Sequence, residues 1–339
     1  MKVDQALPID GIDARDIAAR ALDQGYDGIW AGETKHDPLL ALALAASVAP
    51  GLDVGTSISV AFARNPMDLA ISANDLQTFT QGHFFLGLGS QVKAHITRRY
   101  SMPWSHPAPR MREFVLAMRA IWDAWAGDGR LSFEGDFYQH TLMTPFFNPG
   151  PNPYGPPKVL LAGVGAVMTE VAGEVADGFL CHGFTTERFI REVTVPALQR
   201  GAAKSGRDAG QLEILGGPFV VTGRNEAEFA TADQAVRNQI AFYASTPAYR
   251  AVLELHGWGP LQIELNALTK ANRWSEMGGL ITDDVLNAFA VVGEPDEIAP
   301  EMLRRYGDLW SRMSLYTPYQ LNREVLEPIM AGLQASTQR

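Results

Sequence analysis

A chain of 339 residues exceeds one average domain, yet barrels of alternating strands and helices reach this length as single units. With 46% apolar and 19% charged residues it has a folded, globular composition, and 28 Lys and Arg against 38 Asp and Glu give a net charge of -10 that disfavours nucleic acid. A single cysteine, Cys181, excludes an internal disulfide, residues 1–8 hold no long apolar run that reads as a secretory leader, and the longest apolar stretch, 39–46, is too short to cross a bilayer. A cytoplasmic protein with a small-molecule substrate, and no nucleic-acid or membrane partner, is expected.

Short apolar runs suited to buried parallel strands alternate with amphipathic segments suited to covering helices. Residues 3–7 give a first strand, and 14–24 a helix with Ile17, Ala18, Ala21 and Leu22 on one face, closed by Gly25. Residues 28–31 are the second strand. Pro38 begins a helix that Pro50 and Gly51 stop, and 52–60 reads as a β-branched strand. Pro66 opens the next helix, with a predicted buried face of Leu69, Ala70, Ala73, Leu76 and Phe79. Residues 84–88 are the fourth strand, ending at Gly89 before an irregular stretch, 90–109. The clearest helical pattern spans 110–125, with Phe114, Val115, Met118, Ile121, Trp122 and Trp125 at helical spacing.

Residues 131–157 break this rhythm. Hairpin-like alternation gives way to turn chemistry, with five prolines and two glycines in 148–157, so the segment reads as an insertion. Strand and helix then resume: 159–162, 165–176, 178–181, 186–203, and a seventh strand over 212–222. Residues 226–256 read as helix, and 257–284 lose periodicity, as in a lid or a subunit contact. A helix begun by Gly293, Glu294 and Pro295 runs to 306, 311–316 is the eighth strand, and 323–333 a closing helix. This pattern specifies an α/β protein, either a closed barrel or an open doubly wound sheet.

The ordered set Gly55-Thr56-Ser57-Ile58, Arg64-Asn65-Pro66, Leu86-Gly87-Leu88-Gly89, Ala162-Gly163-Val164-Gly165, Ala176-Asp177-Gly178, Val292-Gly293-Glu294-Pro295 and Leu315-Tyr316 resembles the luciferase-like flavin and deazaflavin oxidoreductases. The resemblance implies a closed (β/α)8 TIM barrel, a single domain over 1–339 with insertions at about 131–157 and 257–284. Gly89-Ser90-Gln91 and Arg110-Met111-Arg112-Glu113 are similar to the branch that uses coenzyme F420. That branch implies a deazaflavin at the carboxyl-end mouth of the barrel, hydride transfer to or from a small organic substrate, and a homodimer. FMN is the alternative cofactor.

Residue by residue, the resemblance places Ser57 and Ile58 where relatives have a non-prolyl cis peptide behind the ring; read alone, the two belong to an ordinary buried strand. It places the phosphate-bearing tail against Ser90, Gln91, Val92, Lys93 and His95 and against Ala162, Gly163, Val164 and Gly165. The Gly163-Val164-Gly165 turn precedes a helix and can offer backbone N–H groups to a phosphate. Met168 and Val92 stand where the third glycine of a dinucleotide fingerprint belongs, so neither glycine run is a Rossmann loop.

Glu33 and His36 are the catalytic candidates, because the loop after a barrel strand displays reacting groups. Deazaflavin dehydrogenases often carry an acidic residue followed by His at this point; here Thr34 follows Glu33 and the nearest His is His36. His36 serves equally well as a loop hydrogen-bonder before Asp37 and Pro38. No histidine pair has the spacing of a metal helix, no Gly-x-Ser-x-Gly elbow occurs, and Cys181 and His182 read as structural. The alternatives to an F420-dependent oxidoreductase are an FMN-dependent monooxygenase and a non-catalytic cofactor-binding barrel.

Overall fold

The computed structural model describes residues 1–8, 13–127 and 129–335. Eight strands form its centre: β1 (Lys2–Ala6), β2 (Gly28–Ala31), β3 (Asp53–Thr56), β4 (Phe84–Gly89), β5 (Lys158–Gly163), β6 (Gly178–Cys181), β7 (Glu213–Gly216) and β8 (Arg312–Ser314). Each pairs in parallel with the next in chain order, and β8 returns to β1 with Lys2 opposite Arg312 and Asp4 opposite Ser314. The ring is closed, and the fold is the (β/α)8 barrel.

Helix starts follow local chemistry. Asp13, Asp37 and Asn65 cap the helices Ala14–Asp23, Pro38–Ala46 and Pro66–Phe79 by accepting from their first-turn N–H groups, and the last two begin with proline, which has no N–H to leave unpaired. The helix over Pro107–Ala126 buries the predicted face from Phe114 to Trp125.

Strand alternation sorts the side chains. Val3, Ile29, Val54, Leu86, Leu161 and Phe179 point out into the core beneath the helices. Trp30, Phe85, Leu160, Leu180 and Leu215 point in and fill the barrel's middle layer. Trp30 fits because β3 has glycine opposite: a Cβ on Gly55 would lie 2.2 Å from the indole.

Below that layer the barrel is closed by charge. Arg312, 1% exposed, donates to Asp4 through Nε (2.7 Å) and Nη2 (2.5 Å) and to Asp53 through Nη1 (2.7 Å). Asp53 also accepts from Lys2 Nζ at 2.6 Å and lies 2.8 Å from His83 Nδ1. The guanidinium sits 5.6 and 5.3 Å from the ring centroids of Trp30 and Phe85. Burial opposes ionisation of both partners. The Lys2, His83 and Arg312 bonds nonetheless hold the Asp53 carboxyl below its ordinary value, and the two aspartates hold the arginine above its own.

Several sequence expectations need correcting. The third strand stops at Thr56 and resumes as Ser59–Val60 against β4, and the Ser57–Ile58 peptide between them is cis. The predicted seventh strand divides at Gly217 and Pro218: β7 stays in the barrel, while Phe219–Val221 pairs with Ala290–Val292 outside it. Proline has no ladder donor, and the chain leaves the ring there. Phe79 is 67% exposed rather than buried. The helix predicted over 226–256 ends at Ala244, with Pro247 three residues on, and resumes as Arg250–Leu255. The excursion expected at 257–284 is helical, over Gly259–Lys270, Trp274–Met277 and Asp283–Phe289, and packs with Glu226–Ala244 around a second apolar cluster that includes Phe184, Phe219, Ile240 and Phe289.

Removing Arg312 leaves two carboxylates buried together, so Arg312→Met is expected to cost about 3–5 kcal/mol in urea unfolding. Because its folded value is lowered, Asp53 contributes stability that is complete above the ordinary aspartate value of 3.8 and lost as pH falls through the folded value. Asp53→Asn should therefore flatten the stability–pH curve below pH 3.8 while lowering stability at neutral pH.

Candidate functional site

The carboxyl ends of the strands surround a cavity of about 610 Å³. Its floor is Trp30, Leu180 and Leu215, with the Asp4–Arg312 pair beneath. Part of its wall is backbone, from Gly32, Gly183, Gly216 and Gly217 at the ends of β2, β6 and β7, and Leu7, Tyr26, Met313 and Tyr316 add side chains. A Cβ on Gly183 would lie 2.5 Å from the Tyr316 ring and one on Gly217 would lie 2.4 Å from Ser314 Oγ, so glycine at these positions lets Tyr316 and Ser314 pack closely along the rim. The volume suits a small-molecule site, and an apolar floor with glycines in part of the wall suits a flat heteroaromatic ring. The residues present fit a flavin or deazaflavin.

Ser57 lines this cavity, and Ile58 packs against the middle layer with its Cδ1 2.9 Å from where a Cβ on Gly89 would stand. Ser57 N–H donates to Ala31 O (2.8 Å) and Glu33 N–H to Ile58 O (2.9 Å), which stitches the loops after β2 and β3 together.

The proposed tail residues lie beside the mouth between β4 and β5, whose pairing brings the two following loops together. Ser90 Oγ donates to Gln91 O, and Gln91, at φ 59, accepts from Val92 N–H through its side chain. Lys93 and His95 are exposed on the short helix Lys93–Arg98, anchored by buried Ile96. Ala162 packs against the barrel interior, Gly163 and Val164 border a crevice with His182 and Phe184, and Gly165 caps the helix Ala166–Val175 without a side-chain acceptor. No atom lies within 4 Å of a Cβ built on Gly165, so a ligand has room to approach those N–H groups.

Glu33 and His36 do not line the mouth cavity. The Glu33 carboxylate accepts from Val60 N–H (2.8 Å), Ser59 Oγ (3.2 Å), Arg64 Nη2 (3.4 Å) and Tyr100 Oη (3.2 Å), and its side chain is 9% exposed. It borders a separate hollow of about 380 Å³ with Arg64, Tyr100 and Met102. Arg64 reaches on to Asp37, the cap of Pro38–Ala46. His36 is exposed on the turn before that cap.

Cys181, half-buried, lines the mouth cavity, and His182 borders the crevice beside it. Burial pushes the thiol up to about 12 and the imidazole down to about 4, so both are uncharged near neutrality. His182 Nδ1 accepts from Phe184 N–H at 2.9 Å, and its ring stacks on Tyr249 at 4.7 Å.

Sequence reading missed the Tyr316–Tyr243 pair. Tyr316 lines the mouth just past β8, and its hydroxyl lies 2.6 Å from that of Tyr243 on the helix Glu226–Ala244. Burial, then the bond to Tyr243, raises the Tyr316 phenol above its ordinary value. No local signal joins two tyrosines 73 residues apart. The Arg312 floor was findable, since Asp4 and Arg312 interrupt apolar strands at inward positions. Among the described residues no group of three or more His, Cys, Asp or Glu could hold a metal, and no helix is long and apolar enough to cross a membrane.

The barrel and the mouth at its strand ends place the chain in a family. Residues 5–311 match the luciferase-like monooxygenase family, and the chain belongs to it. It is similar to an uncharacterized protein of Mycobacterium tuberculosis, at 53% identity over 305 residues and 90% of each chain. It is also similar to an F420-dependent glucose-6-phosphate dehydrogenase of Segniliparus rotundus, at 25% identity over 76% of this chain and 70% of that one. Among solved structures it resembles the coenzyme F420-dependent tetrahydromethanopterin reductase of Methanopyrus kandleri, with a TM-score of 0.78 at 19% identity over 98% and 97% of the two chains, a likeness of fold.

Truncating Glu33 leaves Val60 N–H and the Arg64 guanidinium short of an acceptor. Glu33→Ala is expected to cost about 1–3 kcal/mol in chemical denaturation. The loss should be far smaller for His36→Ala, on the exposed turn.

Proposed function

We propose that the chain is an F420-dependent oxidoreductase acting on a small organic substrate in the barrel mouth. The observation that carries this reading is the partly glycine-walled, apolar-floored cavity of about 610 Å³ in a luciferase-like chain that is similar to an F420-dependent dehydrogenase. Ser57 and Ile58 would hold the ring. Ser90, Gln91, Val92, Lys93 and His95, with Ala162, Gly163, Val164 and Gly165, would hold the tail. When bound, the deazaflavin supplies a ring able to carry a hydride. The chain's residues orient the two partners, exclude water and handle the proton.

Tyr316 is the group we assign to that last task. Burial keeps its phenol protonated near neutrality, and when Tyr243 is the donor in their 2.6 Å contact the single Tyr316 O–H is left to donate to a substrate oxygen that gains charge. Glu33 acts at a distance as a positioning residue, holding Val60, Arg64 and Tyr100 in place behind Ser57 and Ile58. His36 lies outside the cavity, and His36→Ala tests the acid/base role that its place after β2 suggests.

Titration with oxidised F420, FMN and nicotinamides, followed by absorbance and fluorescence, tests the reading. Saturable binding of F420 in preference to FMN is expected, and selective FMN binding overturns it. The family's description as a monooxygenase favours FMN as the second reading. Oxygen consumption by the reduced, FMN-loaded protein supports that alternative. With F420 and a substrate in hand, Tyr316→Phe is expected to lower turnover by about 10²-fold, the scale of one lost donor, while F420 affinity stays within about twofold. Loss of F420 binding in that variant would assign Tyr316 to the cofactor site instead.

We also propose that the protein pairs as a homodimer through the helix Pro38–Ala46. It contains no charged residue, Leu40 and Leu44 lie along one stripe at 71% and 49% exposure, and Val48, 40% exposed, follows just past its end. A helix apolar on both faces is covered in its working state, and a two-fold axis lets the stripe cover itself. Leu44→Glu should convert a dimer to a monomer in light scattering. An unchanged mass overturns this placement.

A further inference from the structure

Charged side chains make up 19% of the sequence, yet the mouth offers a substrate none that is uncommitted among the described residues. Only Asp4 and Arg312 of its lining carry formal charge, and both belong to the floor, 4% and 1% exposed. Arg312 is shared by Asp4 and Asp53, and Lys2 bonds Asp53 as well, so two cations there match two carboxylates. An anion entering from above meets a guanidinium already bound, and a cation meets carboxylates already bound.

The other ionisable groups at the mouth are uncharged near neutrality. Burial pushes the Tyr26 phenol and the Cys181 thiol up to about 12 and raises the Tyr316 phenol as well. His182, in the crevice beside the mouth, is pushed down to about 4 by burial. Cations on the neighbouring loops are turned to carboxylates: Arg64, after β3, pairs with Glu33 and Asp37, and Arg188, after β6, pairs with Glu192. Neither lines the cavity. What the lining does present is the apolar floor of Trp30, Leu180 and Leu215, with the hydroxyls of Ser314 and Tyr316 at the end of β8. Stripping water from an ion with no counter-charge to meet it is costly, whereas a hydroxyl or carbonyl oxygen recovers its lost water bond from one donor.

We infer that the mouth selects an uncharged substrate, an alcohol or carbonyl compound on a small apolar body, and turns away phosphorylated, carboxylated and ammonium-bearing molecules. The body is small because the ring takes its share of the cavity of about 610 Å³. This deepens the F420 reading and rests on it for the place of the ring. Selectivity here comes from the cost of stranding a charge, so it holds across the surface of the substrate rather than at one contact.

The test uses probes that share a ring and a hydroxyl and differ in charge: cyclohexanol, 4-hydroxycyclohexanecarboxylate, its methyl ester and 4-aminocyclohexanol. Glucose 6-phosphate adds a phosphorylated molecule. Each is titrated into the F420-saturated protein at neutral pH and followed by cofactor fluorescence and thermal melting. Cyclohexanol and the ester should bind roughly tenfold or more tightly than the carboxylate and the amine, and glucose 6-phosphate should neither bind nor compete. The ester separates charge from bulk. Thr317, on the rim just past β8, takes part in none of the bonds described above. Thr317→Lys should move the preference about tenfold from cyclohexanol towards the carboxylate, with an unchanged melting temperature. Wild-type binding of the carboxylate or glucose 6-phosphate as tight as that of cyclohexanol overturns the inference, as does failure of both cyclohexanol and the ester to bind. Either result leaves the cofactor reading standing as long as F420 saturates. If F420 itself does not bind, that reading falls, and thermal melting of the cofactor-free protein with the same probes still decides the charge preference.

Discussion

Arg312 is the residue on which this barrel closes. It comes from the last strand and binds Asp4 on the first and Asp53 on the third, so one guanidinium joins three staves of the ring below the mouth. A charge this deep is tolerable only because every face of it is met: two carboxylates at its edge and the rings of Trp30 and Phe85 nearby. The same contact supports the floor of the cavity, since Trp30 lies above the guanidinium and lines the mouth.

From that floor upward the molecule is built by subtraction. Glycine replaces side chains where Trp30 needs room inside the ring and where the ends of β2, β6 and β7 border the cavity. The outer helices carry the compensating apolar mass. Polar groups near the mouth are spoken for by one another: Glu33 by Val60, Arg64 and Tyr100, and His182 by Phe184 and Tyr249.

What the sequence disclosed followed the range of the interactions involved. Strands β2 and β6 were legible to the residue because a parallel strand buried on both faces is a short apolar run, and Pro38 and Pro66 marked helix starts by themselves. Closure of the ring was not legible from pattern and came from ordered family landmarks. The departure of the chain from the barrel at Gly217 and Pro218 was hidden because apolar residues continue on both sides of it. At the site, the glycine turns stood out locally, whereas Ser57 was singled out only by the family resemblance. The direction of the Glu33 carboxylate did not, because it is set by an N–H 27 residues away and a guanidinium 31 residues away. Tyr316 was marked only as a family landmark with Leu315, and its bond to Tyr243, 73 residues away, left no local trace.

The helices over 226–289, which interrupt the barrel rhythm, contribute Tyr243 to a residue of the mouth. That layer is thereby joined to the mouth cavity by the hydroxyl contact of Tyr243 with Tyr316, beside the Tyr249–His182 contact. The region can exchange its outward-facing residues freely, but any shift of its long helix along its own axis changes where the Tyr316 hydroxyl sits. Under the role proposed for Tyr316, a substitution in this roof becomes a tuning knob turned from outside the barrel, without altering a residue of the ring.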